Sequence, residues 1–193
     1  LFHNWYEDVI PLEPSDPNAM SLATVGYDES GKPRPSVRIV LLKEYDETGF
    51  VFYTNLESRK GEELKAEPQA ALCFHWKSLK RQIRIEGDIE QVTEKQAQNY
   101  YNGRPRGSRI SAWASRQSRP LQSRETFEAE IKTFEEKFQG QNIIPKPPFW
   151  SGFRLKPTRF EFWEEFEYRR HNRFIFLPGQ GSKTGWDTQR LYP

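Results

Sequence analysis

Residues 81–92 read RQIRIEGDIEQV, and this stretch decides the fold class. Ile83, Ile85 and Ile89 fall on one side of an extended chain, while Gln82, Arg84, Glu86, Asp88 and Glu90 fall on the other. A period of two with one apolar and one charged face is the pattern of a half-buried antiparallel strand. Working outward, strand character recurs at residues 21–27, 36–45, 50–54 and 69–76 on the N-terminal side. On the C-terminal side it recurs at 150–156, 158–165, 173–177 and 186–191. Asp28–Lys32 supplies Asp, Ser and Gly for a tight turn between the first two. Helical spacing is confined to a few segments. Residues 1–9 place Phe2, Trp5 and Val9 on one side, and 58–66 end before Pro68. Thr93 with Gln96 forms a capping box that opens a helix through Tyr101, and 123–138 carry the stripe Phe127, Ile131, Phe134 and Phe138. About eight short strands with a few helices predict an α+β fold, predominantly β, built as a small antiparallel barrel with surrounding helices. Strands and helices do not alternate, which excludes a doubly wound sheet. The chain is read as one domain over 1–193, with residues 1–18 an N-terminal helix and proline-rich linker.

Bulk composition narrows the function. The 193 residues carry 29 Lys and Arg against 27 Asp and Glu, so the near-neutral total argues against a dedicated polyanion binder. Aromatics reach 15 % of the chain, and the core is therefore expected to be largely aromatic. Cys73 is alone, which rules out an intrachain disulfide and fits a reducing, cytoplasmic setting. His3, His75 and His171 are too scattered to suggest a metal site, and no apolar run is long enough to span a membrane. The sequence begins at Leu1 and not at Met, so an upstream segment is expected.

Against this neutral total, cations are locally concentrated. Between Glu94 and Glu125 there is no carboxylate, yet Lys95, Arg104, Arg106, Arg109, Arg116, Arg119 and Arg124 occur there. The centre of the stretch, YYNGRPRGSRISAWASRQS at 100–118, mixes guanidinium groups with hydroxyls, the combination that grips phosphate oxygens. It also reads as a basic surface loop, or as an RNA-binding patch with aromatics for stacking. In RIVLLK, 38–43, two cations bracket four aliphatics; an edge strand with solvated ends gives the same pattern. FYTNLESRKGEEL, 52–64, runs a strand into a helix whose first turn holds Ser58, Arg59 and Lys60. Cations oppose the dipole at a helix N-terminus, so a bound anion would rationalise them, although an ordinary solvated helix start also fits. In EFWEEFEYRRHNRF, 161–174, Arg169, Arg170, His171 and Arg173 follow Trp163 closely.

These blocks, in this order and together with FHWKSLKRQIRIEG (74–87), PPFWSGFRL (147–155) and the ending RLYP, resemble the pyridoxamine/pyridoxine 5′-phosphate oxidases, FMN enzymes of the split-barrel fold. The likeness covers nearly the whole chain. It implies that Arg38, Ile39, Val40, Leu41, Leu42 and Lys43, with Tyr53, Thr54, Arg59 and Lys60, hold FMN, and that Arg38, Arg59 and Lys60 face its phosphate. Gln82 would bond the flavin ring edge, and Gln117, Ser118, Trp163 and Arg173 would complete the site, partly from a second subunit of a homodimer. Lys43, Tyr100, Arg104 and Ser108 would bind the substrate phosphate. Arg169 and His171 are the implied catalytic pair over the pyridine ring. Arg169 would orient, since arginine hardly deprotonates, while His171 would either accept a proton or hydrogen-bond the substrate. The implied activity is pyridoxal 5′-phosphate synthesis from pyridoxamine or pyridoxine 5′-phosphate, in which hydride passes to flavin N5 and O2 reoxidises the flavin to give H2O2. No metal, nucleic acid or membrane is implied.

The chain also departs from the family pattern. It has Arg-Arg-His-Asn-Arg at 169–173 where the family has Arg-Leu-His-Asp-Arg. Glu164, Glu165 and Phe166 follow Trp163 where Gln-Gly-Gly-like residues are usual, and the two glutamates are candidate charge partners for the nearby arginines. The family's N-terminal substrate-covering segment is not matched. These departures leave room for an FMN oxidase of another aromatic substrate, of phenazine-precursor type, and less readily for a non-catalytic RNA- or flavin-binding module.

Overall fold

The computed structural model describes residues 1–179 and 185–193. Among them nine antiparallel strands form one sheet in the order β2-β1-β5-β6-β7-β4-β3, with β8 on β7 and β9 on β8. The strands are β1 (Ala19–Tyr27), β2 (Pro33–Leu41), β3 (Glu44–Asp46), β4 (Gly49–Asn55), β5 (Gln69–Trp76), β6 (Arg81–Gln91), β7 (Trp150–Glu164), β8 (Asn172–Pro178) and β9 (Trp186–Arg190). The helices are α1 (Phe2–Val9), α2 (Arg59–Ala66), α3 (Glu94–Asn102), α4 (Arg106–Ala114) and α5 (Arg124–Lys137).

The alternation along β6 is realised: Ile83, Ile85 and Ile89 are buried, while Arg84, Asp88 and Glu90 are exposed. Inside the curved sheet they meet Met20, Leu22, Phe52, Leu72, Phe74, Phe153 and Leu155, so the core is aromatic-rich as expected. Helix α1 lies against this core, where Phe2 packs edge-on against Tyr45, Phe50 and Phe74. The anticipated cap at Thr93 forms, and a second is found at Ser123. Thr93 accepts the N–H of Gln96 at the head of α3, and Ser123 accepts that of Thr126 at the head of α5.

Three boundaries differ from expectation for physical reasons. The strand expected over 36–45 ends at Leu41 and β3 begins at Glu44. Between them Leu42 donates to Asn18 O and Lys43 donates to Val51 O, so the backbone changes partners there. The two strands expected over 150–165 are one, β7, which runs through Pro157. Proline is tolerated because β4 leaves β7 at Leu155 and β8 joins only at Phe160, so no neighbour on that side needs its missing N–H. On the other side Pro157 faces Gly87 at a bulge of β6, where a Cβ on residue 87 would lie 2.1 Å from Lys156 O. Finally, residues 106–114 are a helix inside the stretch read as a basic loop.

Candidate functional site

A cleft of about 800 Å³ opens where the end of β2 and the end of β4 meet α3 and α4. Its lining includes Ile39, Val40, Leu41, Lys43, Tyr53, Thr54, Lys60, Tyr100, Arg104, Ser108 and Gln117, all singled out from the sequence. The partner change after Leu41 brings Lys43 to its wall, and the strand-to-helix turn after β4 brings Lys60 there.

The electrostatics of this cleft are one-sided. Lys43, Lys60 and Arg104 line it, no carboxylate does, and none of the three forms an ion pair among the described residues. Lys60 Nζ donates to Gln117 Oε1 at 3.0 Å, Thr54 Oγ1 at 3.3 Å and Ser58 Oγ at 3.4 Å, all neutral oxygens. Burial and the Arg38 guanidinium lower its pKa, against the opposing pull of Glu63. Arg104 lies 5.0 Å from the centroid of the Trp150 ring, and its Nη1 is buried with no hydrogen-bond partner. Burial lowers the Arg104 pKa, while Tyr100 and Tyr101 act in the other direction. A buried guanidinium nitrogen without an acceptor is costly unless a ligand supplies one. The first turn of α4 adds to this. Pro105 stands at its N-cap with no side-chain cap, and Gly107 and Ser108 line the cleft beside Arg104.

One wall is a stack of parallel rings. Tyr53 and Tyr100 are 3.9 Å apart at 3°, and Trp150 continues the stack 5.3 Å from Tyr53. Tyr53 OH donates to Glu44 Oε1 at 2.7 Å, and Gln96 donates to the other oxygen of Glu44 at 2.7 Å. Burial, and then this carboxylate, push the Tyr53 phenol well above its ordinary value.

Arg38 and Arg59 do not line the cleft. Both are held by Glu63, a buried carboxylate on α2 that accepts from Arg59 Nε at 2.8 Å, Arg38 Nη2 at 3.1 Å, Ser36 Oγ at 2.7 Å and Thr24 Oγ1 at 2.5 Å. Arg38 spends its remaining terminal donors on Thr24 Oγ1, Ser36 Oγ and Leu22 O. Burial pushes the Glu63 carboxyl up, but the four hydrogen bonds outweigh it and the group sits near pKa 2. Leu42 is 3 % exposed and belongs to the core, and Ser118, at φ 71°, lines a neighbouring hollow below α5.

The remaining predicted residues form a second cluster. Gln82 pairs across the sheet with Trp163, and Trp163 pairs with Arg173. The Trp163 and His171 rings are 4.7 Å apart, and His171 Nδ1 accepts the Phe166 N–H at 3.1 Å. Arg169 lies in the same corner at φ 60°. Glu164 and Glu165 are not the partners of these arginines: they pair with Arg81 and Lys80. Arg173 instead places Nε and Nη2 on Glu161 Oε1 at 3.0 and 2.8 Å, and Arg84 reaches the other oxygen of that buried carboxylate. The two clusters are carried at opposite ends of β7, at Trp150 and Trp163, and none of Gln82, Trp163, Arg169, His171 and Arg173 lines the cleft. One chain does not bring them into one pocket.

Reasoning from sequence missed Glu63, Thr24, Ser36, Glu44, Trp150 and Glu161. Trp150, Glu161 and Glu63 all stand within blocks quoted for the resemblance, but the partners of Glu63 beyond Arg59 come from β1 and β2, far from it in sequence.

Two family models match. One, described as pyridoxamine 5′-phosphate oxidase, covers residues 9–138, and the other, described as the pyridoxine 5′-phosphate oxidase C-terminal dimerisation region, covers 150–193. A pyridoxine/pyridoxamine 5′-phosphate oxidase of Brucella canis is 51 % identical over 193 residues, spanning 100 % of this chain and 92 % of the relative. The Brucella ovis protein of the same name is also 51 % identical, with 90 % of its length covered. Among solved structures, PhzG from Burkholderia lata 383, in complex with tetrahydrophenazine-1-carboxylic acid, superposes with TM-score 0.86 at 29 % identity. The match covers 100 % of this chain and 90 % of that one. A pyridoxamine 5′-phosphate oxidase-related, FMN-binding protein of Nostoc punctiforme shares the fold, with TM-score 0.75 at 16 % identity over 100 % and 97 % of the two chains.

Proposed function

The chain belongs to the pyridoxamine 5′-phosphate oxidase family, and on that premise we propose that it is an FMN-dependent oxidase that converts pyridoxamine or pyridoxine 5′-phosphate to pyridoxal 5′-phosphate. The observation that carries the reading is the charge of the cleft: three cations, no carboxylate, and a buried guanidinium nitrogen on Arg104 with no acceptor. A phosphate monoester, carrying about −1.5 to −2 at neutral pH, supplies the missing negative charge and acceptors. The residues fit two such groups. Lys60, Thr54 and Gln117 form one polar cluster, suited to the FMN phosphate, and Lys43, Tyr100, Arg104 and Ser108 form the other, suited to the substrate.

Bound FMN would supply the two-electron redox chemistry of the oxidation, with O2 as the final acceptor and H2O2 as the product. The chain's own residues bind, orient and shield. Tyr100 is held flat against Tyr53, which Glu44 fixes through its hydroxyl, so the phosphate end of the substrate meets a preset wall. Arg38 and Arg59 contribute through Glu63, which locks the start of α2 and thereby Lys60. Arg169, His171, Trp163, Gln82 and Arg173 would close the site from a second copy of the chain, because β7 holds them at its far end. The match of residues 150–193 to a dimerisation region supports that homodimer.

The test is anaerobic mixing of the FMN-loaded protein with pyridoxamine 5′-phosphate while the flavin absorbance is followed. Bleaching, then recovery with peroxide when air enters, is expected. A protein that takes up no flavin refutes the reading. A yellow protein that does not bleach moves it to the second one, an oxidase of a larger carboxylated aromatic, which the likeness to the Burkholderia lata PhzG structure favours.

A further inference from the structure

We propose that Glu44 and Lys146, neither of which lines the cleft, are positioning residues of its phosphate end. They clamp the first turn of α3 to the strands that carry Tyr53 and Trp150, and so hold the Tyr100 hydroxyl where a phosphate can meet it. The inference rests on the reading above, in which Lys43, Tyr100, Arg104 and Ser108 take the substrate phosphate. Three elements supply the ring stack: Tyr53 comes from β4, Trp150 from β7 and Tyr100 from α3. In the sheet Tyr53 stands opposite Gly152 and Asn55 opposite Trp150, so the ladder itself sets two of the rings. The Tyr53 ring lies directly on the backbone there, since a Cβ on Gly152 would stand 2.6 Å from Tyr53 Cδ1. Tyr100 has no such ladder, and its place depends on how α3 is set against the sheet.

Ala97 and Tyr101 bury one face of α3, but apolar burial is not directional. Direction comes from two polar ties at the first turn. Glu44 takes the Tyr53 hydroxyl on one carboxylate oxygen and the Gln96 amide on the other, both at 2.7 Å. Gln96 lies one helical turn before Tyr100 on the same face of α3. The path from Tyr53 through Glu44 and Gln96 to Tyr100 therefore closes on the 3.9 Å ring contact. The second tie is Lys146, whose buried Nζ donates to Glu94 Oε1 at 3.2 Å, Trp150 O at 2.8 Å and Pro147 O at 3.3 Å. All three ammonium donors are used, and the first residue of α3 is joined to the residue that ends the stack. The two phenols of the stack are left in different states. Tyr53 spends its hydroxyl on Glu44, whereas among the described residues the hydroxyl of Tyr100 has no hydrogen-bond partner, and Tyr100 lines the cleft.

The experiment is calorimetric titration of the flavin-loaded protein with 4-pyridoxic acid 5′-phosphate, which has the ring and the phosphate but no 4′ amine or alcohol to oxidise. Glu44→Ala and Lys146→Met are each expected to weaken binding roughly tenfold, the worth of one hydrogen bond from a misplaced Tyr100 hydroxyl. Glu44→Gln can keep both bonds once the Gln96 amide turns over, and should stay within roughly threefold. A double-mutant cycle with Tyr100→Phe, which keeps the ring and removes the hydroxyl, reads how the clamp acts. In that background Glu44→Ala and Lys146→Met should each change binding less than roughly twofold. Additive losses, equal losses in the Ala and Gln variants of Glu44, or no loss in either clamp variant overturn the proposal. If near-UV circular dichroism shows that Lys146→Met does not fold, Glu94→Ala cuts the same tie from its exposed end and takes its place. Absence of binding to the unsubstituted protein refutes the clamp's role. A protein that binds and obeys the cycle, yet does not bleach with pyridoxamine 5′-phosphate, keeps the clamp and refutes only the reaction proposed above.

Discussion

Replacing Glu63 by glutamine tests the network that fixes Arg38 and Arg59, and its size follows from the structure. The carboxyl is displaced from the ordinary 4.5 to about 2 because the hydrogen bonds from Thr24, Ser36, Arg59 and Arg38 outweigh the burial that opposes them. At about 1.4 kcal/mol for each tenfold change in proton affinity, the charged form contributes about 3 kcal/mol to folding at neutral pH. An independent route agrees, since removing one partner of a buried ion pair costs roughly 3–5 kcal/mol. The folded-state value lies below the unfolded one, so the contribution is complete above about pH 5 and disappears as pH falls toward 2, with roughly half gone by pH 3. Glutamine does not titrate. Chemical denaturation of the two proteins at one protein concentration, followed by tryptophan fluorescence, should therefore show a gap of about 3 kcal/mol at pH 7 that closes as the pH is lowered. A gap under about 1 kcal/mol at pH 7, the range of an exposed pair, would refute the reasoning, as would a gap that stays constant to pH 3.

Other outcomes follow from the same geometry. Lys60→Ala removes the cation bonded to Thr54, Ser58 and Gln117, and should weaken FMN retention by roughly tenfold or more in fluorescence titration, the worth of one charge-assisted bond. Arg104→Ala should raise KM for the phosphorylated substrate at least roughly tenfold with flavin affinity preserved, and an unchanged KM would remove Arg104 from the phosphate site. Arg169→Ala should lower turnover while the protein stays yellow; colourless protein would show that Arg169 supports the flavin and not the substrate. Sedimentation should give a homodimer, and a monomer that retains FMN tightly would contradict a site shared between two copies.

The barrel was legible because β6 alternates cleanly, with its isoleucines inward and its charged residues outward. Arg104 was legible for a related reason, since a run of basic residues without a carboxylate stands out from a balanced chain, whereas Lys43 and Lys60 stood out as cations at the end of an apolar strand and at a helix start. Helix α4 was hidden by that same run. Its signals were Pro105 just before it and the apolar spacing of Ile110, Trp113 and Ala114, of which Ile110 and Ala114 are buried. Pro157 suggested a break in β7 because a sequence does not show which strand sides are unpaired. Glu63 was illegible in principle. On α2 it reads as an ordinary acid four residues after Arg59, and its other partners, Thr24, Ser36 and Arg38, come from β1 and β2.

The length of β7 connects these observations. A strand of fifteen residues that pairs with β4 at one end and with β8 at the other is a rigid spacer, and its two tryptophans mark what it separates. At Trp150 stands a cationic cleft with an unanswered guanidinium nitrogen. At Trp163 stands a corner of histidine and arginine in which Glu161 holds Arg173 and Arg84 and the Phe166 N–H meets His171 Nδ1. Folding one chain more tightly cannot unite them without breaking the ladder that defines the barrel. A two-fold pairing would do so on the proposed function, by setting the cleft of each copy against the corner of the other and making two equivalent sites at once. On the proposed function this explains why the two half-sites are each held so firmly within their own chain. With half of each site arriving from a partner, orientation must be preset on both sides before they meet, and buried Glu63 and Glu161 perform that task, one for each half.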